Sequence, residues 1–314
     1  MKIDDKIQNN IPLAEFTTFR IGGPAKFFVV IENQEELIDA FAWISKHQIK
    51  HIILSGGSNV LISDEGFDGL VIMIKNNDTL VRGDRIECEA GTRLSKILSS
   101  TISNNLSGLE WAIGIPGSIG GAVRGNAGAF GSSISENIET IEVYDTEKNI
   151  FTILSRRDCK FKYRTSIIKT EQKYIIWKIT LRFSKGIAKK TQEKISEYNS
   201  HRSKSQPKLP SAGCVFKNLI YDELDIKDNS LLARTGIKDC VKGGKIGTGW
   251  IIDKADLRGK KIGGAKISLE HANFIVNTSD ATANDVVMLI SYIKQKVRQK
   301  FKIQLFEEIS YIGF

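Results

Sequence analysis

The chain has 314 residues, 41% hydrophobic and 26% charged, the composition of a globular protein long enough for two or three domains. Its 45 Lys and Arg stand among 36 Asp and Glu for a net charge of +9. The excess is spread along the sequence with no nucleic-acid-binding motif, so a nucleic-acid partner is not expected. No apolar run approaches the roughly 18 residues of a membrane helix, and the amino terminus carries acids and amides where a signal peptide is apolar. A cytoplasmic protein without a membrane partner is the expectation.

Residues 33–48 (NQEELIDAFAWISKHQ) predict an amphipathic helix, with Leu37, Phe41 and Ile44 on one face and Asn33 as N-cap, followed by Glu36. HIILSGGSNVLIS (51–63) predicts a short apolar strand, a small-residue loop and a second apolar segment. Residues 69–74 predict a buried strand, 84–91 a half-exposed one by alternation, and 92–105 a helix. The stretch 108–131 has a glycine at one position in three and predicts no regular structure. Strand patterns return over 136–146, 149–154 and 174–183. The polar, basic stretch 185–210, with Pro207 and Pro210 near its end, reads as a solvated helix and linker at a domain boundary. The last third is α+β. In it Val286, Ile290, Ile293, Val297 and Phe301 share a helix face behind a capping box of Thr282 and Asp285, and 302–314 closes the chain as a strand.

Cys88, Cys159, Cys214 and Cys240 are widely spaced, with no C-x-x-C pair. Neither a zinc site nor a disulfide framework is expected, and each is read as a free thiol. The two glycine tracts need a cause of their own. Glycine permits positive φ and close approach of backbone amides, and successive amides form a nest for a diphosphate. Ser55-Gly56-Gly57-Ser58-Asn59 follows a strand, where such a nest is useful. Neither tract is a dinucleotide-binding G-x-G-x-x-G fingerprint or a P-loop. The second is so poor in side chains that it suits the flat approach of a large group such as a flavin, whereas tight turns alone explain either tract taken singly.

Six segments occur in order: FRIGGPA (19–25), LSGGSNVLISDEGFDGLVI (54–72), GIPGSIGGAVRGNAGAFG (114–131), YRTS (163–166), GCVFKN (213–218) and HANFIVN (271–277). Together they closely resemble the UDP-N-acetylenolpyruvoylglucosamine reductase family, from about residue 16 to the carboxyl end. The resemblance implies an α+β fold of the vanillyl-alcohol-oxidase type. Two FAD-binding subdomains are expected over 1–78 and 79–200, and a UDP-sugar-binding domain over 201–302, with 303–314 returning near the first. It implies non-covalent FAD and NADPH as co-substrate, and reduction of UDP-N-acetylglucosamine enolpyruvate to UDP-N-acetylmuramate for peptidoglycan. The segment 218–282 is similar to the form of the family that lacks an inserted substrate-binding loop, and a monomer is expected.

The resemblance also assigns roles. Ser55, Gly56, Gly57, Ser58 and Asn59, with Ile115, Pro116, Gly117, Ser118, Gly120 and Gly121, fall on the FAD pyrophosphate and ribityl region, and Asn126, Ala127 and Gly128 near the isoalloxazine. Tyr163, Lys217 and Asn218 fall on the substrate, and Arg202, Lys204 and Lys208 are cations suited to its diphosphate. Arg164 is the electrophilic clamp, since its planar cation meets a carboxylate in two places. The family's carboxy-terminal L-E-P-E-V reads Leu305-Phe306-Glu307-Glu308-Ile309 here, which gives Glu308 the position of the polarising glutamate; along a strand Glu307 and Glu308 would face opposite sides. The family's serine proton donor is replaced by Cys214, and a thiol of reference pKa about 8.5 is competent to give up a proton. His271 is read as structural. The alternative is another FAD-dependent oxidoreductase of the same fold, a sugar or alcohol oxidase. Neither tract holds the histidine or cysteine that covalent flavin attachment uses. A third possibility, a nucleotide-binding or basic nucleic-acid-binding module without catalysis, leaves Arg164, Cys214 and Glu308 unexplained.

Overall fold

The computed structural model describes residues 3–221, 236 and 240–314. The chain folds as two compact units. The first comprises Met1–Ile11, Ala25–Gly57 and Asp68–Arg202, and the second Pro12–Pro24, Ser58–Phe67 and Ser203–Phe314. The segments 12–24 and 58–67 group with the carboxy-terminal residues. The change of unit after Arg202 falls inside the helix Ala188–Ser205, whose buried residues are only Thr191 and Ile195, in keeping with its solvated reading.

In the first unit a four-stranded sheet runs Gln8–Pro12, Pro24–Ile31, Phe67–Ile74, His51–Leu54, the last two parallel. Leu70 to Ile74 are all buried, the continuous apolar run of a strand covered on both faces. The helix Gln34–His47 lies in the chain between strands Pro24–Ile31 and His51–Leu54. Asn33 Oδ1 accepts from Glu36 N–H at 2.9 Å, Leu37, Ala40, Phe41 and Ile44 are buried, and Gln48 turns left-handed at the end. The second sheet is antiparallel, in the order Ile150–Ser155, Ile138–Asp145, Tyr174–Arg182, Arg85–Glu89, Thr79–Arg82. Arg85–Glu89 alternates half-buried and buried, as its sequence predicts.

The glycine-rich stretch holds more regular structure than its composition predicts: a 3₁₀ turn at Glu110–Ala112 and an α-helix at Ile119–Arg124. Ser118 starts that helix, accepting from Gly121 N–H at 3.2 Å. Tertiary packing overrides glycine's poor propensity here, because Gly120 sits where a Cβ would come within 2.9 Å of Ala90.

In the second unit a four-stranded sheet runs Ser211–Cys214, Phe274–Asn277, Ala265–Ile267, Lys261–Ile262. The helix Ala283–Phe301 opens on the predicted Thr282–Asp285 capping box and buries the predicted face. The expected strand over 302–314 is shorter. Only Ser310–Ile312 is a strand, pairing in parallel with Val60–Ile62, while 303–309 contributes a single bridge among the described residues, Glu307 to Phe216. Lys302 is left-handed, so the chain reverses there before it can pair.

Candidate active site

In the first unit the two glycine tracts meet backbone to backbone. A Cβ on Gly56 would stand 2.4 Å from Gly117 Cα, so only glycine permits the approach. Ser55 Oγ donates to Ser118 Oγ at 2.7 Å and fastens the tracts beside that contact. The second tract is pinned from behind: Leu94 N–H donates to Gly117 O at 3.0 Å, Ile119 N–H to Thr92 O at 2.8 Å and Gly120 N–H to Ala90 O at 2.9 Å. Ile115 N–H closes a turn onto Ala112 O, and Pro116 is exposed. A Cβ on Gly121 would meet only Ser118 Oγ, at 3.5 Å, so the outer side of the helix start is unobstructed. The result is a rigid surface of backbone nearly free of side chains, the form that a dinucleotide's pyrophosphate and ribityl chain require. The residues present therefore fit FAD.

The first tract does not stay whole. Gly57 ends its segment of the first unit, and Ser58 and Asn59 open one of the second. Asn59 Nδ2 donates to Glu308 O at 3.1 Å, and Asn59 O accepts from Ser310 N–H at 2.9 Å. The amide expected on the cofactor is thus also tied to the backbone of the candidate glutamate.

Arg164 belongs to the first unit and adopts φ +54°, the left-handed region that non-glycine residues enter only when their surroundings over-determine them. Lys162 and Thr165 exchange both backbone hydrogen bonds around it. Two latches hold this turn. Asn126 Nδ2 donates to Lys162 O at 2.8 Å, and Ser166 Oγ donates to Arg124 O at 2.7 Å. The guanidinium reaches the glycine tract, with Nη2 donating to Gly128 O at 2.7 Å, and lies 5.3 Å from the Tyr163 ring centre. Ala127 N–H donates to Ala122 O at 2.8 Å, and a Cβ on Gly128 would come within 2.3 Å of Ser132 O. Asn126, Ala127 and Gly128 therefore carry the arginine's platform. Arg202, read as a diphosphate cation, donates to Trp111 O at 3.3 Å and lies 5.4 Å from the Phe130 ring centre, which stacks on Tyr198 at 4.0 Å.

Cys214 and Glu308 belong to the second unit. Cys214 ends its strand opposite Phe274 and is half-buried. Gly213 before it has φ +76°, and a Cβ there would meet nothing within 4 Å, so the approach is open. The chain then runs between two neighbours. Val215 N–H donates to Asn273 O at 2.8 Å on one side, and Glu308 N–H donates to Val215 O at 2.7 Å on the other. Lys217 N–H donates to Phe306 O at 2.9 Å, and Lys217 O accepts from Thr248 Oγ1. Asn218 Oδ1 accepts from Thr248 N–H at 3.2 Å, at the start of helix Thr248–Lys254. The two adjacent acids differ in their engagements. Glu307 forms an ion pair with Lys294 Nζ at 2.8 Å, and the backbone of Glu308 is bonded to Asn59 and Val215.

Cys88 and Cys159 are fully buried, and burial pushes their thiols up to about 12 and about 11. None of the four cysteines is in a disulfide. The described residues contain no cluster of metal ligands and no helix long and apolar enough to cross a membrane. The structure also identifies Asn273, buried at 2% exposure, which sequence reading placed in a motif without a role. Its signal was an amide directly before the apolar run Phe274-Ile275-Val276. The loop-lacking reading of 218–282 rests partly on residues 222–235 and 237–239, which lie outside the described residues.

Comparison with known proteins fixes what this architecture is. Residues 25–153 match an FAD-binding domain family, and residues 206–312 match the carboxy-terminal domain of UDP-N-acetylenolpyruvoylglucosamine reductase. The fold and site define an FAD-dependent oxidoreductase with an α+β carboxy-terminal domain. The chain is 36% identical over 312 residues to the UDP-N-acetylenolpyruvoylglucosamine reductase of Caldanaerobacter subterraneus subsp. tengcongensis, covering 99% of this chain and 95% of that one. It is 38% identical over 316 residues to that of Caldicellulosiruptor saccharolyticus, covering 99% and 94%. The crystal structure of the Thermus caldophilus reductase superposes with a TM-score of 0.77 at 29% identity, over 98% of this chain and 99% of that one. The chain belongs to the UDP-N-acetylenolpyruvoylglucosamine reductase family. It is an FAD oxidoreductase of peptidoglycan synthesis that uses NADPH as co-substrate, which decides against the oxidase alternative.

Proposed function

We propose that Arg164, Glu308 and Cys214 carry the second half of the reaction on UDP-N-acetylglucosamine enolpyruvate. Bound FAD, reduced by NADPH, supplies the hydride that goes to the terminal alkene carbon. Arg164 stabilises the charge that gathers on the substrate's carboxylate side, a cation held by its latched turn and needing no rearrangement at the moment of reaction. Glu308, as a carboxylic acid, donates a hydrogen bond to the same enolate. Cys214 delivers the proton to the carbon bearing the ether oxygen, and its thiolate is re-protonated from solvent. Lys217, Asn218 and Tyr163 bind the UDP-sugar, and the two glycine tracts hold the cofactor. The observation that carries this reading is the ladder joining Val215 to Glu308 at 2.7 Å, one residue from Cys214, while Glu307 is spent on Lys294. The protein acts as a cytoplasmic monomer of the loop-lacking form, without membrane partners, and its evenly spread charge supports the absence of a nucleic-acid partner.

The test separates the half-reactions. Cys214→Ala should keep flavin reduction by NADPH and lower turnover of the enolpyruvyl substrate about 10²- to 10⁴-fold, the range for loss of a general acid. Cys214→Ser should retain activity. Equal losses in both halves would remove the thiol from this role.

A further inference from the structure

The strand that presents Cys214 has an incomplete neighbour. Its pairing with Phe274–Asn277 begins at Ser211 opposite Val276, is interrupted by a bulge, and ends with Cys214 opposite Phe274. Beyond Cys214 the backbone ladder on that side continues for one bond, Val215 N–H to Asn273 O at 2.8 Å, and stops there, because the strand Phe274–Asn277 begins only after Asn273. Yet Phe216 is only 1% exposed, so its N–H and C=O both need partners there.

Asn273 provides them with its side chain. Phe216 N–H donates to Asn273 Oδ1 at 3.0 Å, and Asn273 Nδ2 donates to Phe216 O at 2.8 Å. A carboxamide carries the same acceptor and donor as a peptide unit, so Asn273 extends the sheet by one step. Its own carbonyl accepts from Val215 N–H at 2.8 Å, making three hydrogen bonds to two consecutive residues. The opposite edge of the chain over Val215 to Lys217 receives Glu308 through Val215 O, and Phe306 through Lys217 N–H. Asn273 therefore holds one side of a narrow strand whose other side holds the glutamate and whose preceding residue is the thiol.

We propose that Asn273 is a positioning residue that sets the placement of the Cys214 thiol and, through Val215, of Glu308. It acts through the backbone of Val215 and Phe216. Only an amide at this position serves: an aspartate keeps the acceptor for Phe216 N–H but sets a carboxylate against Phe216 O, and a leucine satisfies neither group. The proposal rests on the reading of Cys214 as proton donor for its effect on turnover, and on geometry alone for its effect on the thiol.

Two readouts test it on the full-length, FAD-loaded protein. The rate and pH dependence of Cys214 alkylation by iodoacetamide, followed by peptide-resolved mass spectrometry, report the thiol's surroundings whatever its role. Stopped-flow measurement of the two half-reactions reports catalysis. Asn273→Ala should leave flavin reduction by NADPH within twofold, shift the midpoint pH of Cys214 alkylation, and slow reoxidation by the enolpyruvyl substrate about 100-fold, the cost of roughly 1 Å of misplacement. Asn273→Asp should recover part of that loss as pH falls, when the protonated carboxyl donates to Phe216 O again; this variant keeps the test open should the alanine variant not fold. Alkylation unchanged from wild type in both variants would overturn the proposal. So would equal slowing of both half-reactions, which is the mark of a general loss of structure. If alkylation shifts while Cys214→Ala turns over normally, the proton-donor reading fails and the positioning of the thiol stands.

Discussion

The glycine tracts of the first unit and the Cys214 strand of the second solve opposite problems. At Gly56 and Gly117 side chains are absent so that two loops touch, and the backbone itself is the proposed binding surface. At Cys214 a side chain is proposed to do the chemistry, and the backbone around it is bonded on both edges. The first surface tolerates no added atom at its contact; the second tolerates small changes of atom, sulfur for oxygen, but no change of register. One consequence is that the two regions should fail differently when mutated.

The largest effect is expected at the glycines. Gly56→Val drives branched carbons into Gly117 and should yield protein without the yellow flavin spectrum. Gly121→Ala meets only an ordinary contact and should fold with unchanged thermal stability, yet weaken flavin binding about tenfold, about 1.4 kcal/mol. A Gly121→Ala protein that binds FAD as well as wild type would show that the tract serves only as a turn. The Cys214 region should break along the reaction instead. Glu308→Gln should slow the enolpyruvyl half-reaction about 100-fold with FAD retained. Glu307→Gln should cost less than about fivefold, because the Lys294 pair is a part-buried ion pair of the order of 1 kcal/mol. Reversed magnitudes in steady-state assays would exchange the two acids.

Smaller effects lie outside both regions. Thr282→Ala removes the cap of helix Ala283–Phe301 and should lower stability by about 1 kcal/mol in urea unfolding without changing either half-reaction. The smallest is a pH effect. Burial raises the folded pKa of Cys88 to about 12 and of Cys159 to about 11, above the unfolded thiol value of about 8.5. Folded protein therefore holds these protons more tightly. The stability they contribute is complete below about pH 8.5 and is lost as pH rises toward 11 to 12. Urea midpoints measured from pH 8 to 10 should fall, and Cys88→Ala should flatten part of that slope.

The helix Gln34–His47 and the capped helix Ala283–Phe301 were legible because their signals are local: a cap, then apolar residues at helical spacing. The motif residues of the site were legible as residue types at fixed spacing. Their arrangement was not. Helix Ile119–Arg124 is invisible in a stretch so rich in glycine, since what stabilises it is Ala90 and Thr92 pressed against its start. The final strand reads as continuous from 302 to 314, but only Ser310–Ile312 finds a partner, more than two hundred residues earlier in the chain.

What the sequence by itself determined is the chemistry on offer: a thiol at 214, paired acids at 307 and 308, an arginine in a short polar turn, and two backbones stripped of side chains. Tertiary structure alone decided how each is used. Lys294 claims Glu307, Asn126 and Ser166 latch the turn of Arg164, and Asn273 completes the strand beyond Cys214. Each of these is a hydrogen bond or ion pair whose partner is set by folding. Sequence patterns report periodicity and composition, whereas such bonds depend on which distant residue arrives opposite an unsatisfied group.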